Sequence, residues 1–387
     1  YVIRLARRLF QRSAGGPAKV AVLSSGLMGS LSGSAVANTA TTGTFTIPLM
    51  KSTGFKSETA AGIEAAASSG GALMPPIMGA GAYMMLEIVP DITLIKVIQA
   101  ALIPAILYYT ALLLTVHFHS KKIGAAAAPM DEKEMQKSSP YQGVVFFGSF
   151  VLLIALLLYG YSPYFSVSIS LMGILVLSLF SSQTRLNFRK IFDAMILAAK
   201  SGTALIVAAS CVGIILGIVD MTGLGPALPA KVQALAGDNG FLALLLLMFS
   251  TIILGMGLPS AVCYLLVALT VGSVLNSLNT PPLAAHLFIF YFGMMSMVTP
   301  PVALAAYAGA AIAQGHVIKS AVKAFQFALV GFALPYAFVF RPELLMLTVD
   351  NQAANPLLVA AHVAVTLVGI TGLAAAIAGY AFRPLHM

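Results

Sequence analysis

Two stretches of this 387-residue sequence carry small hydroxyl residues, paired prolines and a tyrosine in the same order. In the first, Gly33-Ser34-Ala35-Val36 is followed 41 residues after Ser34 by Pro75-Pro76, with Tyr83 seven beyond Pro76. In the second, Pro259-Ser260-Ala261-Val262 is followed 40 residues after Ser260 by Pro300-Pro301, and Tyr307 stands six further on. Both motifs sit within long apolar runs, where a broken helix leaves backbone carbonyls and amides without intrahelical partners. Each such group is costly unless it is buried in protein or coordinates something. Carbonyls at the end of a half-helix, joined by hydroxyl and amide oxygens, form a neutral cage for a hard monovalent cation such as Na⁺. Half-helix N-termini attract carboxylates. The first half offers Ser32, Ser34, Asn38, Thr39, Ser68 and Ser69 with Gly70 and Gly71, and the second offers Gly257, Pro259, Ser260, Ser296 and Thr299 with Pro300 and Pro301. Packing accounts for any one of these glycines, because small residues let membrane helices approach. Packing does not require the same order twice.

Carboxylates are the alternative coupling groups, since a proton-driven carrier needs an ionisable acid within the membrane. Glu64 lies one to two turns before the Ser68-Ser69-Gly70-Gly71 break, whereas Asp193 and Lys200 are seven apart on one apolar segment. Charges near helix ends commonly snorkel or pair structurally. His117 and His119 border a polar connection, and His286, His316 and His362 are far apart, so no metal-ligand spacing emerges. Cys211 and Cys263 both fall inside apolar runs, which offers neither a disulfide framework nor a cysteine zinc site. No Walker motif is present, and a resident cofactor is not expected.

The elements that must position these residues follow from composition. The chain is 59% hydrophobic and 9% charged, with mean hydropathy +0.95, against roughly a quarter charged in soluble domains. This excludes a soluble globular protein and predicts an all-α polytopic membrane protein. Apolar segments fall at 18–50, 58–89, 96–116, 142–160, 164–182, 191–219, 241–278, 282–313, 324–340 and 356–380. Four of them exceed one simple crossing of a hydrocarbon layer about 30 Å thick. The first and third long segments (18–50 and 241–278) read as re-entrant hairpins, and the second and fourth (58–89 and 282–313) as broken spanning helices.

Charge tests that topology. Arg4, Arg7, Arg8, Arg12, Lys19, Lys51, Lys56, Lys121, Lys122, Lys133, Lys137, Arg185, Arg189, Lys190, Lys319, Lys323 and Arg383 fall on one side, seventeen in all. Lys96, Lys231 and Arg341 fall on the other, and Lys200 lies within a span. Seventeen against three assigns the first side, with the C-terminus and the connection 120–140, to the cytoplasm. The net charge of +9 therefore reads as basic cytoplasmic loops rather than a nucleic-acid surface. The two hairpins then open to opposite sides, which makes an inverted-topology repeat. Its units are 1–119 and 141–387, joined by the polar linker 120–140, with helices 142–219 leading the second unit and helices 324–340 and 356–380 closing it. Three helices precede the second hairpin and none the first, so about three helices are expected to be missing upstream and the chain to be a fragment.

The stretches Ser24–Met50, Glu64–Met85, Gly255–Ala268 and Met297–Ala313 resemble the large membrane subunit of tripartite ATP-independent periplasmic (TRAP) transporters, particularly the fused type paired with TAXI binding proteins. The resemblance covers essentially the whole chain. It implies a non-enzymatic bacterial or archaeal inner-membrane symporter that takes an organic acid from a periplasmic binding protein. It further implies elevator-like movement of the hairpins against a scaffold, coupled to Na⁺ or H⁺. Sodium sites at the tips and breaks would correspond to Ser34, Asn38, Thr39, Ser68, Gly70 and Gly71, and to Gly257, Pro259, Ser260, Thr299, Pro300 and Pro301. The resemblance also implies a small four-helix membrane component, normally fused, whose helices are not seen here, so the chain is expected not to transport by itself. Two other readings carry different signatures. A divalent-anion/sodium symporter that needs no binding protein would share the hairpins, and an intramembrane serine protease would bring Ser32-Gly33 against a histidine.

Overall fold

The computed structural model describes residues 2–10, 13–126, 141–182, 184–237, 239–270, 274, 280–348, 352–381 and 383. Among them are seventeen α-helices, and the one β-type pairing is an isolated bridge between Leu347 and Ala353. Most of the linker 120–140, the end of the second hairpin (241–278) and Arg12, Lys133 and Lys137 of the charge bias lie outside the described residues.

The first long segment folds as α2 (Gly16–Ser32) and α3 (Ala35–Lys51). Each arm has 17 residues, about 25 Å at 1.5 Å per residue, which is short of a hydrocarbon core of about 30 Å. Gly33 ends α2 in the left-handed region at φ 61°, its amide donating to the Gly29 carbonyl, and Ser34 starts α3 by accepting from the Ala37 amide. A glycine C-cap followed directly by a serine N-cap reverses the chain within two residues. The preceding α1 (Val2–Phe10) packs against α2.

The second segment is broken. α4 (Ser57–Gly71) ends at the Ala72–Ala80 loop, after which α5 (Gly81–Ile88) resumes, followed by α6 (Leu94–Ile123). α6 runs beyond the expected 96–116 and through the basic His117–Lys122 stretch, because helix geometry continues where the apolar run stops. α7 (Tyr141–Leu158), α8 (Pro163–Leu179) and α9 (Phe188–Met221) follow the expected positions closely, and α7 pairs with α8. An additional helix, α10 (Leu224–Ala236), precedes the second hairpin.

That hairpin consists of α11 (Gly240–Gly255) and α12 (Ser260–Thr270), turning through Met256–Pro259. The second broken helix is α13 (Pro282–Met295), with a 3-10 turn at Ser296–Val298, a break, and α14 (Leu304–Ala313). α15 (Val317–Ala328) and α16 (Ala333–Phe340) are joined by a 3-10 turn into one apolar stretch, and α17 (Pro356–Ala378) closes the fold. Among the described residues, four stretches are long and apolar enough to cross a membrane: Leu94–Ile123, Tyr141–Leu158, Val317–Phe340 and Pro356–Ala378. The hairpin arms and half-helices are shorter, as re-entrant and broken elements must be.

α4 is the hub. It packs against both arms of the first hairpin and against α14 and α15 from the second half. The halves also exchange contacts reciprocally: α3 packs on α14, and α12 packs on α5. Each hairpin thus leans on the half-helix beyond the other half's break. Two lysines fasten helix ends, Lys51 Nζ donating to the Ala313 carbonyl at 2.7 Å and Lys122 Nζ to the Ala378 carbonyl at 3.0 Å. Both meet the negative end of a helix dipole.

Candidate functional site

The two tips and the two breaks converge. A Cβ placed on Gly79, in the first break, would stand 3.2 Å from the Gly33 carbonyl oxygen and 3.3 Å from Ser260 Oγ. The first tip, the first break and the second tip therefore meet around one residue without a side chain. The second break lies close by, since a Cβ on Gly257 would stand 3.7 Å from Val302 Cγ1. The peptide bonds Pro75-Pro76 and Pro300-Pro301 are both cis.

Each hairpin approaches its broken helix at a matching place. Gly29, five residues before Ser34, abuts Gly71, and a Cβ on Gly29 would fall 2.6 Å from the Gly71 Cα. Gly255, five before Ser260, abuts Ser296, which stands four before Pro300 just as Gly71 stands four before Pro75. Ser296 Oγ lies 3.1 Å from the Gly255 carbonyl and 2.7 Å from that of Gly293, either of which can take its proton.

Between the first hairpin and α4 lies a fully buried polar cluster around Glu64, whose relative exposure is 0%. Ser25 Oγ from α2 donates to Glu64 Oε1 at 2.6 Å, and Thr42 from α3 donates to the same oxygen. Thr46 Oγ1 donates to Oε2 at 2.6 Å, and Ser68 Oγ reaches Oε1 at 3.3 Å. Asn38 joins from α3, its Nδ2 donating to the Ser25 carbonyl at 2.8 Å and to Ser68 Oγ at 3.1 Å. The helix period explains the assembly: Asn38, Thr42 and Thr46 recur every four residues on one face of α3, as Glu64 and Ser68 do on α4.

The sequence candidates divide accordingly. Asn38 and Ser68 belong to the Glu64 cluster. Among the described residues, Thr39 Oγ1 and Ser69 Oγ are buried and find no hydrogen-bond partner. Ser34 is an exposed helix cap. Gly70 is a close-packing position, where a Cβ would meet the Tyr108 ring at 2.1 Å, and Gly71 is another. Gly257, Pro259 and Pro301 are exposed, Ser260, Thr299 and Pro300 half-buried. Thr299 Oγ1 donates back to the Met295 carbonyl at 2.7 Å, and Tyr307 donates its hydroxyl proton to the Pro301 carbonyl. Tyr83 instead packs beside Leu153 and Leu157, so the paired tyrosines do different work. Among the described residues, the hydroxyl of Ser32 meets Ser34 and not a histidine.

Asp193 and Lys200 are exposed on α9. His117 Nδ1 lies 2.9 Å from Lys19 Nζ, His119 sits between Phe55 and Phe327, and His286 Nδ1 lies 2.7 Å from the Tyr264 hydroxyl. His316 caps α15, and His362 Nδ1 lies 3.5 Å from Glu343. Sequence reasoning missed Ser25, Thr42 and Thr46, although the four-residue spacing of polar residues along α3 was the available signal.

Comparison with known proteins places this geometry among relatives. Residues 1–353 match the family model described as the DctM component of the tripartite ATP-independent periplasmic transporter. The chain is 22% identical over 359 residues to the 2,3-diketo-L-gulonate TRAP transporter large permease protein YiaN of Escherichia coli, covering 89% of this chain and 80% of that one. It is 29% identical over 122 residues to a putative TRAP transporter large permease protein of Haemophilus influenzae, covering 32% and 28%. An uncharacterized protein of Sinorhizobium fredii, y4mL, is 30% identical over 135 residues, covering 35% and 32%.

Proposed function

The chain belongs to the DctM family, the large membrane permease component of TRAP transporters, and on that premise we propose that it moves an organic acid inward with sodium. The acid is delivered by a periplasmic binding protein of the TAXI type. A small four-helix membrane component completes the scaffold against which the hairpins shift. The carrying observation is the convergence at Gly79, where Gly33 and Ser260 approach from oppositely derived hairpins. A carboxylate at that junction would face two tips rich in backbone groups, and oxygens around the breaks would take the sodium ions. The buried, unpartnered hydroxyls of Thr39 and Ser69 support an ion near the first break, since buried polar atoms ordinarily have a partner.

The test is uptake of radiolabelled organic acids by the complete transporter in proteoliposomes, with its binding protein added and sodium or choline outside. Sodium-dependent uptake is expected, weakened in Asn38→Ala and in Ser260→Ala. Unchanged sodium activation in both variants would refute the placement. Uptake without the binding protein would point to the divalent-anion symporter class, and uptake driven by a pH gradient alone would replace sodium with protons.

A further inference from the structure

Glu64 is a carboxyl group fully buried in a helix interface, and no Lys, Arg or His among the described residues forms a salt bridge with it. The Tyr109 hydroxyl, on the facing α6, is committed to the Ala67 carbonyl at 2.6 Å. A carboxyl group withdrawn from water is relieved either by taking up a proton or, if ionised, by a neighbouring cation, because neutral hydroxyls return less than the hydration lost. The surrounding atoms are hard oxygens: both carboxylate oxygens and the hydroxyls of Ser25, Thr42, Thr46 and Ser68.

Three of those hydroxyls can turn their protons elsewhere. Thr42 Oγ1 lies 2.7 Å from the Asn38 carbonyl, Thr46 Oγ1 lies 3.0 Å from the Thr42 carbonyl, and Ser25 Oγ lies 3.0 Å from Thr42 Oγ1. A hydroxyl that donates to its own helix presents lone pairs to the cluster centre. A single negative charge matches a monovalent ion, since a divalent one would leave a buried positive charge in its place. Such oxygens select hard metal ions rather than soft ones.

We propose that Glu64, with Ser25, Thr42, Thr46 and Ser68, forms a charged sodium site about two turns before the first break, additional to the neutral cages at the tips. This inference rests on the ion-coupled function proposed above. Asn38 links the two levels, because its Nδ2 donates to Ser68 Oγ of the cluster and also lies against Gly29, which abuts Gly71 at the end of α4.

Equilibrium binding of radiolabelled sodium to the purified complete transporter, with potassium as competitor, tests the site. Glu64→Gln is expected to bind one sodium ion fewer than the native protein, and Thr46→Val, which keeps the charge and loses one oxygen, to bind with a raised Kd. Native stoichiometry and Kd in Glu64→Gln, or, should that variant fail to fold, in Thr46→Val, overturns the proposal. Ser260→Ala separates this outcome from the wider function. Sodium binding reduced in Ser260→Ala and unchanged in the Glu64 and Thr46 variants removes this site and leaves the tip sites standing. A native transporter that binds no sodium removes both.

Discussion

The two hairpin-and-break units share a backbone plan and differ in what fastens them. Both reverse at Ser-Ala-Val, both break at a proline pair, and both bring a glycine five residues before that serine against the broken helix. At the positions matching Glu64, Asn38, Thr42 and Ser68, counted from the serine or the prolines, the second unit has Ile289, Tyr264, Ala268 and Gly293. Its α13 is held by rings instead: Phe288 and Phe292 pack together with Tyr336, and Phe292 also meets Phe332. The two units therefore share where the chain turns and differ in side-chain chemistry. Among the described residues, an acid clasped by hydroxyls occurs in the first unit, whereas the second hairpin meets its broken helix through Tyr264 and His286 and through Ser296 and the Gly255 carbonyl.

The sharpest way to break that contrast is to move the charge. Ile289→Glu places a carboxylate where no hydroxyl cluster receives it, and an uncompensated buried charge costs roughly 3–5 kcal/mol. Loss of monodisperse protein in detergent, read by size-exclusion chromatography, is the expected result. A stable Ile289→Glu variant would mean that the second unit tolerates charge as well as the first. Glycine contacts give a smaller test. Gly29→Ala presses a methyl on backbone at Gly71 and should cost about 1–3 kcal/mol. Gly255→Ala presses mainly on Cys263 Sγ and the Ser296 side chain, which can rotate, so its melting temperature should fall less. Equal losses would show that the two approaches are equally rigid. The smallest effect concerns the caps. Ser34→Ala removes the acceptor for the Ala37 amide and should lower stability by about 1 kcal/mol. Ser260 is itself the first residue of α12, and Ser260→Ala should leave the melting temperature near the native value.

Much of this was legible in the sequence because tips and breaks are written in residues with special backbone behaviour. Gly33-Ser34 and Pro75-Pro76 mark chain reversal and helix interruption almost to the residue, and hydropathy located the long helices. Hydropathy failed where helix and apolarity part company. α10 carries the sequence LGPALPAKVQALA, whose two prolines and lysine left it outside the apolar segments, and α6 continues through HFHSKKI past the apolar stretch. The Glu64 cluster was half legible. Its carboxylate and Ser68 stood out near a break, while Ser25, Thr42 and Thr46 looked like ordinary membrane-helix hydroxyls, which bond their own helix carbonyls. Only the packing of α2 and α3 on α4 shows that those hydroxyls face a common acid.

The reciprocal packing of α3 on α14 and α12 on α5 bears on what makes this chain one molecule. Each half carries a surface whose complement exists only on the other, so a lone half would expose unsatisfied contact faces while two severed halves could still recognise each other. The interlocked half-helices supply cohesion between the halves beyond the chain that joins them.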